Sequence, residues 1–145
     1  MSLLPRAALV ATTPEAVRAL RGVAEVELTH FPFRIGRDSR TSPPGSDEVI
    51  ELRLGIIPGL NDLYLVEARW ADLLQISREH LQIERDGQRF FVADRGSQTG
   101  TIVAGRPVGG NRAAGRAEVT SGDLIVIGND RSEFIFRFEI RRTER

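Results

Sequence analysis

Cysteine is absent from this chain, so it has no disulfide and no thiolate metal site. That absence suits a reducing compartment. Lysine is absent as well, and all 20 basic residues are arginine. Arginine keeps its proton and presents a planar fork that grips two oxygens of an anion at once. Histidine occurs only as His30 and His80, too few for a His-rich metal cluster. No metal and no cofactor are expected. There is no surplus of charge, because 20 acidic residues balance the 20 basic ones. A general nucleic-acid binder carries a basic excess, so nucleic acid is not an expected partner. Long apolar runs are missing too; none approaches the roughly 20 residues that span a bilayer. Pro5 and Arg6 interrupt the apolar run from Leu3 to Val10, which makes it a poor leader segment. The expectation is a cytoplasmic chain with no membrane partner. No internal repeat is present.

What remains is ordinary globular material. The chain has 145 residues, 41% of them hydrophobic and 28% charged, which suits one domain with its own core. Ala7 to Ala11 reads as a first strand. Thr13 then caps a short helix with Pro14 in its first position, and Gly22 ends it. Val23 to Thr29 alternates, with Val26 and Leu28 on one face. Pro32 breaks the pairing, and Phe33 to Arg37 forms the next strand. Residues 38–76 read as an insertion. It starts with a polar, Pro-rich loop (Ser39 to Ser46), then a strand with Ile50, Leu52 and Leu54 on one face. A Pro58-Gly59 turn, a strand over Asn61 to Val66, and a helical turn carrying Trp70, Leu73 and Leu74 complete it. The later strands fall at Arg116 to Thr120, Leu124 to Ile127 and Phe134 to Ile140, with Ser121-Gly122-Asp123 as a turn. Residues 141–145 form a solvated tail.

The most informative stretch runs from Ile76 to Val108. It holds two polar loops, Ser77-Arg78-Glu79-His80 and Gly96-Ser97-Gln98-Thr99-Gly100-Thr101. Between them two apolar-alternating runs meet at Asp86-Gly87, a strong hairpin signal. Leu81, Ile83 and Phe91 are expected to face inward; Gln82, Glu84 and Arg85 are expected to face water. A tight hairpin brings the two loops together; both offer hydroxyls and N–H groups, with Arg78 in the first and Arg95 just ahead of the second. That set suits an anion.

Three blocks here resemble, in order, the motifs of the forkhead-associated (FHA) domain family. They are Phe33-Arg34-Ile35-Gly36-Arg37, Ser77-Arg78-Glu79-His80, and Gly96 through Gly105. The likeness runs from about Ala7 to Ile140 and covers a single domain. It implies an all-β fold, a sandwich of two mainly antiparallel sheets, here elaborated by the short N-terminal helix and the inserted hairpin and short helix. It also implies a phosphothreonine-peptide recognition module acting as a signalling adaptor, with no catalytic residue. Its partners would be Thr-phosphorylated proteins, a Ser/Thr protein kinase or its substrates among them. The oligomeric state stays open.

A phosphothreonine carries roughly −1.5 to −2 charges at pH 7, so a binder needs fixed cations and hydroxyl or amide donors. By resemblance Arg37, Ser77, Arg78 and Ser97 hold the phosphate. Ser77 is expected to donate from both its hydroxyl and its backbone N–H. Gln98 and Thr99 meet the peptide; Gly36, His80, Gly100 and Thr101 shape the loops. Thr99 stands where the family usually has Asn. One short hydroxyl replaces an amide that both donates and accepts, which weakens the grip on a peptide backbone. Ala104 replaces another frequent Asn, in a turn. These departures motivate an alternative, an FHA-like scaffold mediating phosphate-independent protein–protein interaction or oligomerisation. A hydrolase is disfavoured. Ser97 directly follows Gly96, so there is no G-x-S-x-G elbow, and no acid is evident to orient His80.

Overall fold

The computed structural model describes residues 5–38, 61–67 and 74–142. Two sheets face each other. The first runs in the order β2-β1-β11-β10-β7-β8 and the second in the order β4-β3-β5-β6-β9. In chain order the elements are β1 (Arg6–Ala11), α1 (Pro14–Ala19), β2 (Glu25–Leu28), β3 (Phe33–Arg37), β4 (Leu63–Leu65) and β5 (Leu81–Asp86). They continue with β6 (Arg89–Asp94), β7 (Thr101–Val103), β8 (Arg106–Val108), β9 (Gly115–Val119), β10 (Leu124–Ile127) and β11 (Ile135–Arg141). Among the described residues every strand pairing is antiparallel except β3 with β4, which run parallel with Ile35 opposite Leu63.

The alternation in the strands sets which side chains fill the sandwich. Leu9 lies opposite Phe138 and Ala11 opposite Phe136, so β1 and β11 bury one face together. On the other sheet Phe33, Ile35, Leu81, Ile83, Phe90 and Val92 point inward. Phe90 joins the layers: its ring is 5.3 Å from Phe138 and 5.5 Å from Phe31. Each such side chain contributes about 1.5–3 kcal/mol by leaving water.

Two inward and outward assignments are corrected here. Phe91 lies on the outer face, under the guanidinium groups of Arg116 at 3.8 Å and Arg89 at 5.2 Å. Arg85 lies on the inner face, over the rings of Phe90 and Phe31. The cause is parity. Pairing puts Ile83 opposite Val92 and Arg85 opposite Phe90, and paired residues share a face. Once Leu81 and Ile83 point in, Arg85, Phe90 and Val92 must follow, and Phe91 must point out. The connecting residues are Gly87 and Gln88, one further on than Asp86-Gly87.

The short helix forms as expected. Thr13 Oγ1 accepts the Ala16 N–H at 3.0 Å, and Pro14 occupies the first turn. Ala16 and Ala19 face the core. Thr12 and Thr13 donate their hydroxyls to the carbonyls of Ile135 and Glu133, which fixes α1 beside the start of β11. Thr101, read as the end of a loop, begins β7, and residues 101–108 form the β7–β8 hairpin through Ala104 and Gly105. The expected strand over Asn61 to Val66 is trimmed to β4. The inserted strand carrying Ile50, Leu52 and Leu54, the Pro58-Gly59 turn, Trp70 and Leu73 lie outside the described residues.

One end of the sandwich collects the motifs. β3, β6, β8 and β10 end there, and β5, β7, β9 and β11 begin there.

Candidate functional site

The first loop is pressed against β3. Arg37 N–H donates to the Ser77 carbonyl at 2.9 Å, and His80 N–H donates to the Ile35 carbonyl at 3.1 Å. The approach is so close that only glycine fits at position 36. A Cβ there would lie 1.9 Å from the Arg78 carbonyl oxygen and 2.6 Å from Asn61 Nδ2. Asn61, itself buried, donates to that same carbonyl at 2.7 Å. Its other amide atom accepts from Arg95 at 2.6 Å, and Arg95 also reaches Glu79 at 3.0 Å.

His80 joins the two loops. It is fully buried. Its Nδ1 accepts the Ser77 N–H at 3.0 Å, which places the ring proton on Nε2. Nε2 then donates to the Gly100 carbonyl at 2.7 Å. Burial pushes the His80 pKa below its ordinary 6.5, favouring this neutral ring. Both ring nitrogens are thereby committed. The Ser77 backbone N–H is committed too, so of the two donors expected from Ser77 only the hydroxyl can serve a ligand. That hydroxyl oxygen accepts the Gln98 N–H at 3.1 Å, a second tie between the loops.

The second loop is organised by a residue to which the sequence reading gave no role. Asp94, at the end of β6, is 3% exposed. Its Oδ1 accepts the N–H groups of Gly96 at 2.9 Å and Ser97 at 2.7 Å. Its Oδ2 accepts the hydroxyls of Ser97 at 2.7 Å and Thr101 at 2.8 Å. The Ser97 hydroxyl also accepts the Gly100 N–H at 2.9 Å. Ser97 is 1% exposed, so it leaves the expected set of phosphate ligands. Its hydroxyl is spent inside the loop, as a turn-capping serine's is. The signal was present as an Asp three residues ahead of a Ser, the spacing of a side-chain-capped turn.

A second buried carboxylate holds the approach to the first loop. Glu67 accepts the N–H groups of Gln75 at 2.6 Å and Ile76 at 2.8 Å. The carbonyls of those same two residues face the site. Ile76 O accepts from Arg37 Nε at 3.0 Å, and Gln75 O accepts from the Thr99 hydroxyl at 2.6 Å. Burial raises the Glu67 pKa, outweighing the N–H groups of Gln75 and Ile76 and the charge of Arg37, which favour the carboxylate. Arg21 pairs with buried Asp38, and Asp38 N–H donates to the Leu65 carbonyl. The Val66 N–H donates to the Ala19 carbonyl. The chain on either side of Arg37 is therefore pinned from the helix side as well.

The loops and strand ends so joined carry Arg37, Ser77 and Arg78, each half-buried, and Gln98, which is exposed. Next to Thr99 lies a cleft of about 240 Å³, walled by Ile102, Pro107, Gly128 and Asn129 among others. The site thus brings together Arg37, Ser77, Arg78, Gln98 and Thr99, with His80, Gly36, Gly100 and Thr101 beneath them.

The FHA domain family matches residues 33–128, and the chain belongs to that family. A search of curated proteins gave no match. Among solved structures, the kinase-interacting FHA domain of the kinase associated protein phosphatase of Arabidopsis aligns with a TM-score of 0.57 at 17% identity. That alignment covers 99% of this chain and 100% of the other. The FHA domain of an Arabidopsis thaliana hypothetical protein gives 0.55 at 18% identity, covering 100% and 93%. The N-terminal FHA domain of S. cerevisiae Rad53p, solved with a phosphothreonine peptide, gives 0.54 at 16% identity, covering 95% and 94%. At these identities the likeness is one of fold.

Proposed function

We propose that this chain is a phosphothreonine-peptide recognition module that works as a signalling adaptor for Thr-phosphorylated proteins. The observation that carries the reading is the joining of two loops through His80, which sets Arg37, Ser77 and Arg78 along one rim. Arg37 and Arg78 would supply the positive charge and the Ser77 hydroxyl a further donor, matched to a doubly charged tetrahedral group. The peptide would run past Gln98 and Thr99, with a neighbouring side chain entering the cleft walled by Ile102 and Pro107.

The rim is suited to hold a phosphoester rather than cleave it. His80 cannot serve Ser77 as a base, because one ring nitrogen accepts a backbone N–H and the other donates to Gly100 O. The module would accordingly not be an enzyme. Fluorescence polarisation with a phosphothreonine peptide and its unphosphorylated twin tests the reading. Only the phosphorylated form should bind, and Arg37→Ala should cost about 1.5–3 kcal/mol, the worth of a charged hydrogen bond. Equal binding of the twins would overturn it.

One observation favours a second reading, a scaffold that captures partners without phosphate. The Thr99 hydroxyl donates to Gln75 O, so its hydrogen is not available to a peptide backbone. On this reading Arg37→Ala would leave partner capture intact.

A further inference from the structure

The loop between β8 and β9 reaches the same rim from the side of the second sheet. It turns at Gly110, Asn111, Arg112 and Ala113, closed by paired bonds between Gly110 and Ala113. Asn111 and Arg112 both take left-handed backbone, with φ of 52° and 66°. That conformation costs an L-residue other than Asn or Gly about 1–2 kcal/mol, so Arg is a poor choice for the turn itself. Two bonds hold it there. Asn111 N–H donates to the Gln98 carbonyl at 2.9 Å, and Arg112 N–H donates to the Ser97 carbonyl at 2.8 Å. The Arg112 side chain follows, with Nε 3.3 Å from Gln98 Oε1.

Gln98 is thus the single residue between the Ser77 hydroxyl and the Arg112 guanidinium. Arg112 differs from the neighbouring Arg95, whose charge meets Glu79. It is exposed, and no carboxylate among the described residues pairs with it. A strained backbone that presents a cation with no carboxylate partner among the described residues, at the edge of the rim, points to specificity rather than to folding.

Resting on the phosphothreonine reading above, we propose that Arg112 selects ligands with an acidic side chain flanking the phosphothreonine. The ligand class is then an acidic phosphopeptide, its phosphate on Arg37, Ser77 and Arg78 and a carboxylate on Arg112. An extended peptide advances about 3.4 Å per residue, so one Gln side chain of separation corresponds to about one to three residues.

The test is a set of fluorescein-labelled phosphothreonine peptides with alanine flanks, carrying one Asp at each of the three positions on either side. Each has an unphosphorylated twin. Wild-type protein should bind one or two Asp-containing phosphopeptides about two- to five-fold more tightly than the all-alanine one, as expected for an exposed ion pair. Arg112→Asn keeps a residue at home in left-handed backbone and removes the charge, so the ratio should fall to about one. Arg112→Glu should invert it. Phospho-dependent binding with no Asp preference, or a preference that survives both substitutions, would overturn this inference alone. If no phosphopeptide outcompetes its twin, the phosphothreonine reading falls and this inference falls with it.

Discussion

Replacing His80 by Leu tests the architecture of the rim most directly. Leucine fills much of the ring's volume but offers nothing to the Ser77 N–H or to the Gly100 carbonyl. Both lose a bond, at 3.0 and 2.7 Å in the native protein, and Gly100 is buried. A buried polar group stripped of its partner costs about 1–3 kcal/mol. The substitution should therefore cost about 2–5 kcal/mol, a large part of the roughly 5–15 kcal/mol that holds a domain of this size together. Urea denaturation followed by far-UV circular dichroism at pH 7.5 gives the number.

The same pair of proteins carries a pH signature. The folded-state pKa of His80 lies below the unfolded 6.5, so the unfolded chain binds the proton more readily. The stability that neutral His80 supplies is whole above about 6.5 and is lost as pH falls toward the folded value. One proton changes stability by at most about 1.4 kcal/mol per pH unit. Glu67 works in the opposite sense, since burial raises its folded pKa, but it is common to both proteins and cancels in the difference. The stability gap between wild type and His80→Leu should narrow from pH 7 to pH 5. A gap that stays constant, or a loss under about 1 kcal/mol at pH 7.5, would refute the bridging role.

Three further outcomes follow from the same geometry. Asp94→Ala removes the acceptor of two N–H groups and two hydroxyls, so it should cost about 3 kcal/mol or more in urea titrations. Gly36→Ala forces a Cβ to within 1.9 Å of the Arg78 carbonyl; it should cost about 1–3 kcal/mol and lower phosphopeptide affinity as the first loop is pushed off β3. Ala104→Asn should stabilise, because Ala104 sits at φ 51° and Asn tolerates left-handed backbone; about 0.5–1 kcal/mol, or about 2 °C in melting temperature, is expected by calorimetry.

How much of this was legible in the sequence depends on the kind of residue. Short apolar runs between breakers placed β1, β3 and β10; alternation placed β2, β5 and β11. It failed over Phe90-Phe91-Val92, where three apolar residues in a row hide the period and only the hairpin's pairing decides. Arg85 misled for a related reason: its guanidinium lies over aromatic rings, so a charged residue occupies a core-facing position. The polar loops announced themselves through glycine, serine and histidine at family spacing. Ser97 did so too, yet the hydroxyl that looked available for a ligand is the one that closes its own turn.

The parts that escaped the sequence share a property. Glu67 and Asn61 both act through backbone groups, one accepting N–H and the other donating to a carbonyl, and both are buried. A backbone partner leaves no mark on the sequence at the position it serves. Glu67 acts at one remove: its carboxylate holds the N–H groups of Gln75 and Ile76, whose carbonyls accept from the Thr99 hydroxyl and from Arg37 Nε. Glu67 lies just after β4, outside all three motif blocks, and its carboxylate is the one against which one side of the rim is built. Removing that carboxylate alone, as in Glu67→Ala, should therefore disturb Arg37 and Thr99 together even with every motif residue intact.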